Sequence, residues 1–174
     1  MGRRLLLAWY LLCMVPLIAV AAPGRDPFNY FFNDTFGNFA DELQTARHEG
    51  KQGVLLFFEQ ADCPFCHYME QNVLNQPEVQ AYYRKHFLSF PVDILGDVAI
   101  TDFRGRQTTE REFAKVTRVR ATPVFAFYDL KGKQIFRYTG STSGVAEFML
   151  MGRYVVDGTY SKMPFVKYKR EQLQ

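Results

Sequence analysis

Two cysteines and a histidine stand together in Cys63-Pro64-Phe65-Cys66-His67. This spacing suits three kinds of chemistry: a redox-active dithiol, part of a zinc site, or covalent attachment of haem c through both cysteines and the histidine. A dithiol needs a stabilised thiolate, zinc needs two further ligands, and haem needs a second axial ligand or an open pocket. The choice among them therefore depends on the rest of the chain.

The N-terminus has the features of a secretory signal peptide. The first four residues include two arginines, residues 5–20 are apolar, and Ala19-Val20-Ala21 has the small-x-small pattern that signal peptidases cut. The apolar run is shorter than the about 20 residues that a bilayer-spanning helix needs. The sequence predicts a cleaved signal over residues 1–21 and an exported, periplasmic domain over residues 22–174, with an uncleaved anchor as the alternative.

Cleavage changes the cysteine count. The full chain has three cysteines, and Cys13 lies in the apolar run, so the exported product keeps only Cys63 and Cys66. Structural disulfides gain most of their effect by closing long loops, whereas a bridge across two residues closes almost none. A chemical role therefore explains the pair better than structural cross-linking does.

Charge gives no indication of a nucleic-acid partner. Loss of the two signal-peptide arginines lowers the Lys+Arg count from 21 to 19, against 18 acidic residues. Removal of 21 residues from 174 leaves about 153, which suits one domain with its own core. We expect a monomer.

The hydrophobic pattern predicts alternating helices and strands. Apolar residues recur at helical spacing over residues 36–46, with Asp34 or Thr35 able to cap this helix and Gly50 to end it. Residues 53–58 form a continuous apolar run, typical of a central strand, which leads directly into the cysteines.

The segments after the cysteines continue this alternation. First come a helix from Pro64 to about Leu74, a helix from Pro77, a strand over 87–94 and a hairpin around Arg104-Gly105. A helix capped by Thr109, with Phe113, Ala114 and Val116 inward, is followed by strands over 124–128 and 134–139.

The predicted C-terminal part is a last helix after Ser143 and a solvated basic tail from Lys162. The residues of the last helix predicted to face inward are Val145, Phe148, Met149 and Val155.

This order predicts an α/β fold, with a central mixed sheet flanked by helices, an N-terminal helix and a small hairpin insertion. The dithiol follows the first central strand, at the edge where open sheets place their functional crevice. A helix start lowers a cysteine pKa from about 8.5 to roughly 3.5–7.5. Cys63 is therefore the predicted nucleophile, and Cys66, one helical turn later, is placed to resolve the mixed disulfide.

With this order of elements and this position of the cysteines, the chain resembles the thioredoxin superfamily over nearly all of its predicted mature length. The residues that carry the resemblance are the strand leading into Cys63 and Cys66, Thr122-Pro123 before a core strand, the turn over 129–132 and Gly140 before the last helix. Those most similar to exported SoxW-type thioredoxin-like proteins are Phe58-Glu59-Gln60, Cys63-Pro64-Phe65-Cys66, Asp93 and the segment 154–160.

The resemblance implies a thioredoxin fold and a thiol-disulfide oxidoreductase that needs no cofactor or metal. It implies a substrate groove formed by Pro64, Phe65, Thr122 and a cis Pro123. It favours reduction of disulfides in periplasmic proteins of the sulfur-oxidation or cytochrome c maturation type, with electrons from a membrane thiol transporter. The oxidase direction stays open.

Two positions depart from the family pattern. Six residues before the first cysteine, thioredoxins have a buried aspartate that accepts the proton of the resolving cysteine, and here that position is Phe57. Glu59 is the candidate substitute if its carboxylate points under the dithiol, although a glutamate leaving a strand is more often solvated. Pro64-Phe65 resembles glutaredoxins, but Gly140-Ser141 does not supply the Gly-Gly pair with which those proteins bind glutathione.

Three alternatives remain beside the dithiol. Haem c attachment through Cys63, Cys66 and His67 matches the motif, but such sites belong to small, mostly helical domains. Zinc binding lacks a second paired motif. A non-catalytic thioredoxin-like binding module would not need both cysteines.

Overall fold

The computed structural model describes residues 23–172, and the predicted signal peptide lies outside them. In chain order the elements are α1 (Pro27–Tyr30), α2 (Phe39–His48), β1 (Gly53–Glu59), α3 (Pro64–Met69), α4 (Pro77–His86), β2 (Phe87–Asp93), β3 (Ala99–Thr101), β4 (Gln107–Thr109), α5 (Glu110–Val116), β5 (Val124–Asp129), β6 (Gln134–Thr139), α6 (Val145–Val156) and α7 (Phe165–Gln172). α3 continues directly as a π-helical turn over Glu70–Leu74. None of the helices between residues 23 and 172 combines the length and the hydrophobicity that a transmembrane span requires.

The central sheet has the strand order β2-β1-β5-β6. β1 pairs in parallel with β2 and antiparallel with β5, which in turn pairs antiparallel with β6. β3 and β4 form a separate hairpin, as the Arg104-Gly105 signal predicted. The expected thioredoxin fold, with a mixed sheet flanked by helices, is confirmed.

Each face of the sheet carries its own hydrophobic core, because successive side chains of a strand point to opposite faces. Leu55 and Phe57 of β1 join the core that contains both cysteines, here called the dithiol-side core. Val54, Leu56 and Phe58 join the opposite core, which lies under α2, α5 and the hairpin. β1 is therefore covered on both faces, and it places the dithiol at one end of a rigid strand.

The start of α2 differs from the prediction. Asn38 caps the helix by accepting the N–H groups of Ala40 and Asp41, so the helix begins at Phe39. Thr35 instead accepts the N–H of Gly37 in the preceding turn. Phe36 is consequently fully exposed rather than part of the buried helical face.

The inward position predicted for Val116 is also wrong. Val116 ends α5 and is 65% exposed, whereas Phe113 and Ala114 are buried as predicted. The chain then turns through Arg118, whose φ is 58°, and the N–H of Val119 bonds to the Ala114 carbonyl. Val119 thereby takes the buried place that Val116 was expected to fill.

The basic tail is not simply a solvated segment, because it forms α7. Phe165 at its start is buried in the dithiol-side core. Lys169 Nζ donates to Glu147 Oε1 at 2.8 Å, and Glu147 is only 4% exposed. Ser143 donates to the other carboxylate oxygen through its N–H and its hydroxyl, at 2.8 and 2.7 Å. α7 thus supplies the cation that balances a buried carboxylate of α6.

These contacts predict a loss of stability in acid. Burial by itself would raise the pKa of Glu147, but the hydrogen bonds from Lys169 and Ser143 outweigh it and lower the pKa from 4.5 to about 2. The carboxylate therefore stabilises the fold fully above pH 4.5, and this contribution is lost as the pH falls from 4.5 towards 2. Relative to Glu147→Gln, the wild type should lose about 2 kcal/mol of its free energy of unfolding between about pH 6 and pH 3.

Urea unfolding of both proteins at the two pH values measures this difference. Glu171→Gln is the matched control, because Glu171 is an exposed glutamate of α7 that pairs with Lys167 at 3.8 Å. Its difference from the wild type should stay constant with pH. A constant difference for Glu147→Gln as well would contradict the lowered pKa.

Candidate active site

Cys63 and Cys66 lie where β1 gives way to α3, and they are joined as a disulfide with a Cα–Cα distance of 5.2 Å. Cys63 is the N-cap residue of α3, and Pro64 takes the first helical position, where its missing N–H is not needed. The exposed fractions of the two side chains are 4% for Cys63 and 0% for Cys66. Both cysteines are thus buried, and Cys63 is the one with a small exposed fraction.

The start of α3 directs a backbone N–H group at Cys63. The Cys66 N–H donates to Cys63 Sγ at 3.0 Å, in the position of a side-chain cap. Free N–H groups at a helix start carry a partial positive charge, and they lower the pKa of a cysteine placed there. The geometry therefore favours Cys63 as the attacking sulfur and Cys66 as the sulfur that resolves.

The predicted groove residues come together at the same edge of the sheet. Phe58 pairs with Val124, so the start of β5 lies beside the end of β1. The Thr122-Pro123 peptide that precedes β5 is cis, as the resemblance implied. Pro123 is buried and Thr122 half-buried. Between the cysteines, Pro64 and Phe65 are exposed, and Phe65 shows 61% of its surface to solvent.

Phe57 occupies the position at which thioredoxins have a buried aspartate, and it belongs to an aromatic cluster in the dithiol-side core. It is completely buried in the dithiol-side core. Its ring stacks on Phe32 at a centroid distance of 5.7 Å and lies 5.0 Å from Phe125. Nothing at this position can accept a proton, which leaves that task to another residue.

Glu59 is half-buried and occupies the last position of β1. Strand alternation places it on the same face as Phe57, the face that carries the dithiol. Burial raises the pKa of this carboxyl group above 4.5, and the charges of Asp93, Glu70 and Glu110 raise it further, while His67 opposes the shift. Glu59 is therefore not the freely solvated glutamate that its place at a strand end suggested.

The other candidate ligand of the motif, His67, is exposed on α3. Among residues 23–172 there is no group of three or more His, Cys, Asp or Glu side chains arranged to hold a metal ion.

One contact at the site escaped sequence reasoning. Met69 lies one turn after Cys66 and is completely buried, and its Sδ is 3.6 Å from the hydroxyl of Thr142. The spacing of Cys66, Met69 and Val73 indicates a buried helical stripe, so the burial of Met69 had a local signal. No local signal indicated the contact with Thr142, because Thr142 comes much later in the chain.

Comparison with known proteins identifies the family. The thioredoxin-like domain family matches residues 39–155. A thioredoxin from Thermus thermophilus has a similar solved structure, with 28% identity and a TM-score of 0.54, covering 68% of this chain and 84% of that one. A thioredoxin-fold protein from Helicobacter pylori shows 22% identity and a TM-score of 0.57, covering 71% and 87%.

A third similar structure is the DsbH oxidoreductase, with 21% identity and a TM-score of 0.56, covering 74% of this chain and 88% of the other. No curated protein sequence matches significantly. The family match covers most of the chain and includes β1, both cysteines and Pro123. The chain therefore belongs to the thioredoxin-like domain family.

Proposed function

We propose that this protein is an exported thiol-disulfide oxidoreductase of the SoxW type, which reduces disulfides of periplasmic proteins through Cys63 and Cys66. The observation that carries the proposal is the cysteine pair itself: a disulfide at the start of α3, with the Cys66 N–H directed at Cys63 Sγ. The family match supports it, and one of the similar structures is named a thioredoxin.

The reaction begins with the reduced dithiol. The Cys63 thiolate attacks a partner disulfide, which breaks that S–S bond, forms a mixed disulfide and releases one partner sulfur as a thiolate that takes up a proton. The Cys66 thiolate then attacks Cys63 Sγ and expels the second partner sulfur. The partner gains two electrons and two protons, and Cys63 and Cys66 end as a disulfide.

The second step needs a base, because Cys66 is buried and a buried thiol holds its proton more tightly than an exposed one. We assign this role to Glu59, whose half-buried carboxyl group lies on the dithiol face of the sheet and has a raised pKa. A raised pKa brings a carboxylate closer to the basicity that proton transfer at neutral pH requires.

The partners follow from the resemblance and from the predicted signal peptide. We propose that the substrates are disulfide-bearing periplasmic proteins of sulfur oxidation or cytochrome c maturation, bound at Pro64, Phe65, Thr122 and Pro123. A membrane thiol transporter supplies the electrons that return the disulfide to a dithiol.

Two measurements on the purified exported protein test this function. An absorption spectrum comes first, because covalent haem c would give a Soret band and would overturn the dithiol mechanism. The redox potential follows, from thiol counts in dithiothreitol or glutathione buffers. We expect a potential near that of thioredoxin, about −270 mV, whereas a value near −120 mV would indicate an oxidant.

A further inference from the structure

The loop over residues 140–144, between β6 and α6, contacts both halves of the active site. At one end the Gly140 N–H donates to the Pro123 carbonyl at 2.8 Å. In the middle the Thr142 hydroxyl lies 3.6 Å from Met69 Sδ, beneath the dithiol helix. A change in the position of this loop would therefore alter the contacts of both Pro123 and α3.

The loop does not hold its shape by backbone preference alone. Gly140 and Gly144 have φ values of 101° and 143°, in the region that favours glycine. Glycines at both ends give the chain many conformations to lose on folding. Inside the loop the Thr142 hydroxyl donates to the Gly144 carbonyl at 3.0 Å, and contacts from outside the loop stabilise the same conformation.

Glu147 supplies these contacts from the first turns of α6. One of its carboxylate oxygens accepts the N–H and the hydroxyl of Ser143 at 2.8 and 2.7 Å. The other accepts the Tyr138 hydroxyl at 3.2 Å and Lys169 Nζ at 2.8 Å. The carboxylate thus connects Ser143 of the loop, and Tyr138 of the strand that leads into the loop, to α7.

Lys169 comes from outside the region that matches the family, which ends at residue 155. It is the cation that compensates the charge of Glu147, which is 4% exposed. Without it, the buried carboxylate would either take up a proton or move towards water, and its bonds to Ser143 would weaken in both cases.

We propose that Glu147, held in place by Lys169 of the C-terminal helix, is a positioning residue that fixes the loop 140–144 beside Pro123 for binding of a protein disulfide. The proposal rests on the proposed function. It gives the C-terminal helix a part in the binding of a protein substrate while leaving the chemistry of Cys63 and Cys66 unchanged.

Lys169→Met tests the proposal, because it removes the charge and keeps most of the apolar stem. Lys167→Met is the matched control: Lys167 is an exposed lysine of the same helix, paired only loosely with Glu171 at 3.8 Å. Both variants are assayed at a temperature where circular dichroism shows them fully folded. If Lys169→Met does not fold, Glu147→Gln replaces it.

We expect Lys169→Met to raise KM for the disulfides of insulin by about 3- to 30-fold, with kcat changed much less. The rate with 5,5′-dithiobis(2-nitrobenzoate), a small disulfide that needs no loop contact, should stay within about twofold of wild type. Lys169→Arg should restore most of the loss. An unchanged KM, or equal losses with both disulfides, would overturn the proposal.

A second readout does not depend on activity. In amide NMR spectra, Lys169→Met should shift the signals of Gly140, Thr142 and Met69, while Lys167→Met should leave them in place. If the wild type failed to reduce either disulfide, the proposed function would be wrong, and the NMR comparison would still decide whether Lys169 positions the loop. Unshifted loop signals would overturn the positioning role.

Discussion

Cys63→Ser is expected to lower the rate of disulfide reduction by at least about 10³-fold. A serine hydroxyl at the helix start does not ionise at neutral pH, so it cannot attack the sulfur of a partner disulfide. Cys66→Ser should behave differently. Its Cys63 still attacks, but nothing expels the partner, so a stable mixed disulfide accumulates with one partner per protein molecule. Non-reducing electrophoresis and mass spectrometry measure that adduct.

The two cysteines are distinguished by their burial and hydrogen bonding. Cys63 is the more accessible sulfur and accepts the Cys66 N–H, whereas Cys66 is completely buried. A trapped adduct on Cys66 in the Cys63→Ser protein would reverse the assignment. Full activity of both variants would exclude the dithiol mechanism.

His67→Ser is the control for this experiment, since His67 is exposed on the same helix and lies beside Cys66. In the dithiol mechanism this variant should keep its activity within a few-fold. Attachment of haem c, by contrast, would require His67 as the axial ligand.

Glu59→Gln is expected to slow release of the partner by about 10- to 100-fold at neutral pH, because glutamine cannot accept the proton of Cys66. The first step, attack by Cys63, should keep its rate. Stopped-flow measurement of the mixed disulfide separates the two steps: the intermediate should form at the wild-type rate and decay more slowly.

The pH dependence gives an independent test. Burial and the neighbouring acidic residues raise the pKa of Glu59 above 4.5, so its carboxylate takes up a proton at a higher pH than an ordinary glutamate does. As the pH is lowered, the release rate of the wild type should therefore begin to fall at a higher pH than it would with a glutamate of ordinary pKa. Glu59→Gln should lack the part of this decrease that follows protonation of Glu59.

In Glu59→Gln the stability of the fold is not expected to fall together with the activity. Because the folded-state pKa of Glu59 is raised, its contribution to stability is fully present below pH 4.5 and is lost as the pH rises through the folded pKa. Removing the ionisable group avoids that loss. Glu59→Gln should thus be at least as stable as the wild type at neutral pH, and slow release could not be attributed to unfolding.

Glu42→Gln is the matched control for Glu59→Gln. Glu42 is also a partly buried glutamate whose pKa is raised by burial, but it lies on α2, which packs on the core opposite the dithiol. This variant should release the partner at the wild-type rate. Equal release rates in Glu59→Gln and the wild type would remove Glu59 from the mechanism.

Local signals determined the elements that carry the dithiol. The apolar run before the cysteines predicted β1, Pro64 predicted the start of α3, and Thr109 with Glu112 predicted the cap of α5, which the structure shows as a bond from the Glu112 N–H to the Thr109 hydroxyl. Such signals are readable because spacing, capping and turn formation depend on residues within a few positions of one another.

The errors also have local causes. Phe36 has helical spacing with Phe39, but Asn38 is the better cap and starts the helix later. Val116 has helical spacing with Phe113, but the helix ends there and Val119 folds back into the vacant position. In both places two local patterns compete, and periodicity alone does not decide between them.

From the sequence by itself follow the α/β order of elements, the position of Cys63 and Cys66 at a strand-to-helix junction, and the chemistry of that pair. The tertiary structure alone decided that the basic tail folds as α7, that Lys169 compensates Glu147, and that Thr142 reaches Met69. These contacts join residues far apart in the chain, and a charge in a tail looks the same in sequence whether it meets water or a buried carboxylate. Only the packing of α7 and α6 against the sheet brings such groups within bonding distance.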